Sequence, residues 1–282
     1  LNKKLVFLMR VLGLLLAALV LASCSSIQID EDEVFQPKAS ITPETFSHET
    51  ATLEEVTIYS GPDSLALNAW WLTHPDAEAT VLFFGGQGFY LVQSAPYVEA
   101  FADLPVNVLM VDYRGYGKSE GEPSVAGLKQ DAGQALAYLE EAQGVAPASV
   151  IVHGHSLGSF VALHLAEGQD LGGVVLENPV TNVQDWSRSL IPWFLRLFVS
   201  LDFSEALRAE NNTTRIRSLE RPVLIVAGAE DDVAPLSMAE TLHAEAPVEQ
   251  KSLVVVDDGG HNGLMAKTSV RDAYRTFTAQ VQ

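Results

Sequence analysis

Cysteine is nearly absent: the 282-residue chain has one, Cys24, so no intrachain disulfide can form. Basic residues are also scarce, 17 Lys and Arg against 36 Asp and Glu, for a formal net charge of −19. That balance excludes a nucleic-acid partner, because phosphate binding needs clustered Lys and Arg. The acidic surplus is what a solubilising surface supplies. There is no H-E-x-x-H and no Cys cluster, so no metal site is expected, and no G-x-G-x-x-G, so no dinucleotide or other cofactor is expected. Nothing repeats internally. The apolar run Val11–Ala22, broken by Gly13, is shorter than the roughly 20 residues that span a bilayer.

What that run does fit is the core of a secretory signal, since Lys3, Lys4 and Arg10 give it a basic start. It ends in Leu21-Ala22-Ser23-Cys24, which resembles the lipobox of bacterial lipoproteins. The resemblance implies a signal peptide over 1–23, cut before a lipidated Cys24. Ser25 and Ser26, with no Asp, resemble the sorting pattern of Gram-negative lipoproteins bound for the outer membrane. The expected location is therefore the cell envelope, lipid-anchored in the outer membrane and facing the periplasm. Residues 24–52 carry Asp30-Glu31-Asp32-Glu33, Pro37 and Pro43 without apolar periodicity, which predicts a flexible tether.

From Leu53 onward strands and helices alternate. Apolar, β-branched runs predict strands over 55–60, 65–72, 80–84, 106–112, 150–153, 173–176, 222–227 and 252–256. Helices are expected over 95–104, from the Ser124 N-cap to Glu141, after the 150–153 strand, over 236–245 and from Gly263 to the end. Nearly continuous apolar strands alternating with helices predict an α/β fold, a mostly parallel sheet covered on both faces, over 53–282. Residues 182–217 break the alternation. Leu190, Trp193, Phe194, Leu197, Phe198 and Leu201 form a helical apolar stripe there, expected as a small helical cap that lines the site or simply packs on the domain.

The informative stretch is Val150-Ile151-Val152-His153-Gly154-His155-Ser156-Leu157-Gly158. A G-x-S-x-G between a strand and a helix is the nucleophile elbow of α/β-hydrolases. Gly117-Lys118-Ser119-Glu120-Gly121 also fits the pattern, but a Gly/Tyr-rich loop precedes it and Glu122-Pro123 follows, so Ser119 is expected to be a loop residue. A serine nucleophile needs a base, and the base needs an orienting acid. After Ser156 come His164 and His243, both inside predicted helices, and His261, in the loop after the last strand. That leaves His261 as the base. His155 is expected to pack or hydrogen-bond locally. The acid should follow an earlier strand, and 223–235 supplies Asp231 and Asp232, with Glu177 a more distant third.

At these residues the chain resembles serine α/β-hydrolases of the esterase and lipase kind. Gly228 to Pro235 matches the family's acid loop with Asp231 in the acid position, and Asp112-Tyr113-Arg114-Gly115-Tyr116-Gly117-Lys118-Ser119 matches a loop signature that holds neighbouring loops. Where the family has His-Gly-Asn or a close variant after its third strand, this chain has Gly85-Gly86-Gln87. The resemblance implies an oxyanion hole made by the backbone N–H groups of Leu157 and Gln87.

The expected activity is cleavage of carboxylic esters, lipid-like ones included, through an acyl-enzyme on Ser156, with a small acyl ester as the partner molecule. A peptidase, amidase or acyltransferase on the same triad is the alternative within enzymes. A ligand-binding lipoprotein is the alternative outside them, and a binding module has no need of all three residues.

Overall fold

A computed structural model describes residues 41–189 and 202–281. The signal-peptide stretch 1–23, Cys24, the first part of the tether and the Leu190–Leu201 stripe lie outside the described residues.

Among the described residues eight strands form one sheet: β1 (Thr52–Ser60), β2 (Leu65–Thr73), β3 (Ala79–Phe84), β4 (Val106–Val111), β5 (Val150–His155), β6 (Gly173–Glu177), β7 (Val223–Gly228) and β8 (Lys251–Val256). Their order is β1-β2-β4-β3-β5-β6-β7-β8. β1 and β2 pair antiparallel, β2 meets β4 antiparallel, and every later pairing is parallel. The central strands β3, β5, β6 and β7 are buried along their whole length, as a sheet covered on both faces requires. β1, at one edge, instead alternates between buried and exposed positions over much of its length.

Because successive strand residues point to opposite faces, each strand feeds two cores. Leu82, Phe84, Val152, Leu176 and Ile225 pack with helices α2 (Val125–Glu141), α3 (Gly158–Ala166) and α7 (Leu236–Glu245). Val81, Phe83, Ile151, Val175 and Leu224 pack on the other face with α1 (Ala95–Ala102) and α8 (Thr268–Gln280). The Ser124 hydroxyl accepts the Gly127 N–H and starts α2, a cap whose loss costs about 1 kcal/mol. α4 (Val183–Ser189), α5 (Glu205–Arg208) and α6 (Asn212–Ile216) lie in the stretch between β6 and β7. In a small separate cluster, Trp186 of α4 packs with Phe160, Val180, Ala234 and Met238.

The sequence placed the start of the domain at Leu53, but packing begins earlier. Ile41 is buried in the core beside α1, and its N–H bonds the Val92 carbonyl. Residues 41–52 therefore lie on the domain and do not belong to a free tether.

The parallel strands β3 to β8 end along one side of the sheet. The loops starting at Gly85, Ser156, Asn178, Ala229 and Asp257 leave those carboxyl ends, where α/β sheets place their ligands.

Candidate active site

The elbow follows from its glycines. A Cβ on Gly158 would overlap the Phe84 carbonyl oxygen, and one on Gly154 would overlap the Gly158 carbonyl, so the strand and helix approach this closely only because both positions lack a side chain. Between them Ser156 adopts φ of +51°, a left-handed conformation that non-glycine residues rarely take. The strain is held by the Ser156 N–H, which donates to the Glu177 carbonyl, and by Ser159, whose hydroxyl donates to the Ser156 carbonyl at 2.6 Å. The Ser159 oxygen also accepts from Asn212 at 3.0 Å, which ties α6 to the elbow.

The structure brings Ser156, His261 and Asp231 together although 105 residues separate the first pair. His261 Nε2 lies 3.0 Å from Ser156 Oγ, and His261 Nδ1 lies 2.8 Å from Asp231 Oδ2. A carboxylate only accepts, so Nδ1 carries the proton and the bare Nε2 faces the serine hydroxyl. Asp231 Oδ1 accepts the Val233 and Ala234 N–H groups, both at 2.8 Å, so both carboxylate oxygens are engaged. Asp232 is exposed and takes no part. Glu177, the remote third candidate, is fully buried with its carboxylate 3.3 Å from His153 Nε2.

Among the described residues, the Leu157 and Gln87 N–H groups are not taken up by any backbone or side-chain acceptor. Leu157 N–H precedes the first turn of α3, where unpaired amides and the helix dipole favour negative charge. Gly86 packs directly on the elbow, near His155 Nδ1 and Ser156 Cβ. The loop signature has the structural role expected of it. Asp112 accepts from Leu91 N–H and from Asn68, Tyr113 OH donates to the Gly85 carbonyl, and Ser119 bonds the Asp112 carbonyl and the Asn68 N–H. Ser119 is thus consumed in the loop, away from His261. Burial pushes the Asp112 carboxyl above its usual range.

Some residues around the site escaped the sequence. His155 does not bond locally: its Nε2–H donates to the His261 carbonyl, 2.9 Å away and 106 residues on. Burial pushes its imidazole below the usual histidine range. Asn178 bonds the Gly228 N–H at the end of β7 and the carbonyls of Gly260 and His261. His153 and Glu177 form a fully buried pair, with the phenols of Tyr97 and Tyr274 nearby. Burial opposes the charge on Glu177, but contact with His153 and the fields of His155 and His153 bring its carboxyl below the usual range. Among the described residues no group of three or more His, Cys, Asp or Glu is arranged to hold a metal ion.

The chain is similar to several known proteins. A family described as serine aminopeptidase, S33, matches residues 75–211, a span that contains Ser156 and stops before Asp231. An uncharacterized protein of Mycobacterium tuberculosis is 33% identical over 222 residues, 77% of this chain and 76% of that protein. Among solved structures, an esterase of Pyrococcus furiosus superposes with a TM-score of 0.64 at 20% identity, covering 86% of this chain and 97% of that one. A puromycin-hydrolyzing peptidase of Mycobacterium tuberculosis gives a TM-score of 0.65 at 17% identity, covering 82% of this chain and 39% of that one.

Proposed function

The chain belongs to the α/β-hydrolase family, and from that premise we propose that it is a serine hydrolase cleaving carboxylic esters through an acyl-enzyme. The observation that carries the proposal is the unbroken line Ser156 Oγ, His261 Nε2, His261 Nδ1, Asp231 Oδ2, with contacts of 3.0 and 2.8 Å at its two hydrogen bonds.

In this reading Ser156 Oγ attacks the acyl carbon while its proton passes to His261 Nε2. Asp231 keeps the imidazole in the tautomer that accepts this proton and stabilises the imidazolium that results. The carbonyl oxygen becomes anionic between the Leu157 and Gln87 N–H groups, and losing one such donor costs about 3–4 kcal/mol of transition-state stabilisation in comparable enzymes. As the intermediate collapses, His261 returns its proton to the leaving alkoxide. Water then attacks the acyl-enzyme while His261 takes its proton, and as the acyl C–Oγ bond breaks His261 returns that proton to Ser156 Oγ, freeing the carboxylic acid.

The matched family description and the peptidase neighbour favour amide cleavage as the second reading. A panel of p-nitrophenyl esters of graded acyl length, run beside aminoacyl p-nitroanilides, separates the two. The ester reading expects kcat/KM on at least one ester to exceed that on every anilide by at least tenfold. The reverse ranking would replace it with an aminopeptidase.

We also propose that the enzyme works at a membrane, anchored by lipid on Cys24; the basic start, the short apolar core and Leu21-Ala22-Ser23-Cys24 support this. Each buried lipid CH₂ contributes about 0.8 kcal/mol, and more than one acyl chain makes attachment stable. Expressed in a Gram-negative host, the wild type should fractionate with the outer membrane and carry a lipid mass on the Cys24 peptide, whereas Cys24→Ser should carry none. An uncut, unlipidated wild-type N-terminus would contradict the anchor.

A further inference from the structure

Asn178 follows β6 and is almost completely buried, in a left-handed conformation with φ of +44°, immediately before Pro179. Few residues other than glycine adopt that conformation, and asparagine is one that does so at lower cost. Its carboxamide uses both its donors and its acceptor oxygen. Nδ2 donates to the Gly260 carbonyl at 3.1 Å and to the His261 carbonyl at 2.9 Å, while Oδ1 accepts the Gly228 N–H at 2.9 Å. Its own N–H bonds the Val226 carbonyl, and the carbonyl just before it, that of Glu177, accepts the Ser156 N–H. One residue therefore touches the base loop and the strand leading to the acid, and its neighbour holds the nucleophile. The His261 carbonyl also accepts from His155, so both lone pairs of one main-chain oxygen are occupied by donors from two adjacent strand ends.

We infer that Asn178 is a positioning residue for the reaction proposed above, its carboxamide fixing the His261 main chain so that the imidazole meets Ser156 and Asp231 at once. His155 is its partner in this, the second donor to the same carbonyl. The inference rests on the serine-hydrolase reading. It goes further in assigning the alignment of the base to a residue that contacts neither substrate nor the reacting atoms. An imidazole that must bridge two partners tolerates little displacement, and a misplacement of about 1 Å costs on the order of 10²-fold in rate.

The variants to test are Asn178→Gly, which keeps the left-handed backbone and removes the carboxamide, and Asn178→Asp, which keeps the shape and an acceptor for Gly228 but removes the donor. Both are assayed on a p-nitrophenyl ester, with thermal unfolding and the downfield proton resonance of His261 Nδ1–H recorded on the same samples. The expected result is kcat lower by about 10²-fold with KM changed by no more than about twofold, and a shifted or exchange-broadened resonance. Wild-type kcat in whichever variant folds, or a lowered kcat with an unmoved resonance, would overturn the inference. Fluorophosphonate labelling of the wild type distinguishes this from failure of the underlying mechanism: an unlabelled Ser156 defeats the serine reading itself, whereas a labelled wild type beside fully active variants defeats only the role of Asn178. Combining either variant with His155→Phe should give a loss that is not the product of the single losses, because both act on one carbonyl.

Discussion

Ser156→Ala is expected to lower kcat on p-nitrophenyl esters by about 10⁶-fold, the scale on which serine hydrolases lose turnover when the nucleophile is removed. The change deletes one oxygen and leaves His261, Asp231 and the Leu157 and Gln87 amides in place, so what survives is stabilisation of the oxyanion alone. The fold should be retained. The φ of +51° at this position is imposed by the close approach around Gly154 and Gly158, and alanine meets the same backbone demand as serine. The N–H bond to the Glu177 carbonyl belongs to the main chain and does not depend on the side chain. Thermal unfolding should therefore stay near the wild-type midpoint while turnover disappears. Hydrolysis persisting at more than about one per cent of wild type would mean that another group attacks the substrate.

Asp231→Asn should cost about 10⁴-fold in kcat, the effect of the corresponding change in a well-studied triad. Here the direction follows from the hydrogen bonds. The Oδ1 position accepts two backbone N–H groups, Val233 and Ala234, so the amide oxygen of an asparagine is held there. Its NH₂ is then turned toward His261 Nδ1. A donor facing Nδ1 drives the proton to Nε2, and an imidazole protonated on Nε2 cannot accept from Ser156. Asp232 is exposed and its change to Asn should leave kcat within about twofold of wild type, as surface substitutions away from a site ordinarily do. Steady-state kinetics on the two variants decide between adjacent residues, and the opposite ranking would move the acid by one position.

Much of this site was legible because each part announces itself locally. The elbow is a strand, a turn and a helix within one short stretch. His261 was found by elimination, since His164 and His243 fall inside helices and do so in the structure. The Ser124 cap and the span of α7 needed only local spacing. Other features have no local signature. Asn178 and His155 act on a carbonyl 83 and 106 residues away, through hydrogen bonds that exist only once β5, β6 and β8 are ordered in the sheet. His153 looks like one more residue of a buried strand, and Glu177 like an acid at a strand end. Their pairing depends on the parallel alignment of β5 and β6 and on which face each residue presents. Ile41 is an isolated apolar residue in a polar stretch, where periodicity has nothing to report. Its burial is set by contact with the 3-10 turn Leu91–Gln93, whose Val92 carbonyl accepts the Ile41 N–H.

Peptide mapping by mass spectrometry of the enzyme inactivated with a fluorophosphonate identifies the nucleophile directly. The geometry at His261 Nε2, 3.0 Å from Ser156 Oγ, predicts one adduct, on the peptide containing Gly154-His155-Ser156-Leu157-Gly158, with loss of esterase activity in proportion to labelling. The second G-x-S-x-G serves as an internal control: Ser119 is bonded to the Asp112 carbonyl and the Asn68 N–H and should remain unmodified. An adduct on Ser119, or an enzyme that hydrolyses esters while Ser156 stays unlabelled under saturating probe, would contradict the account.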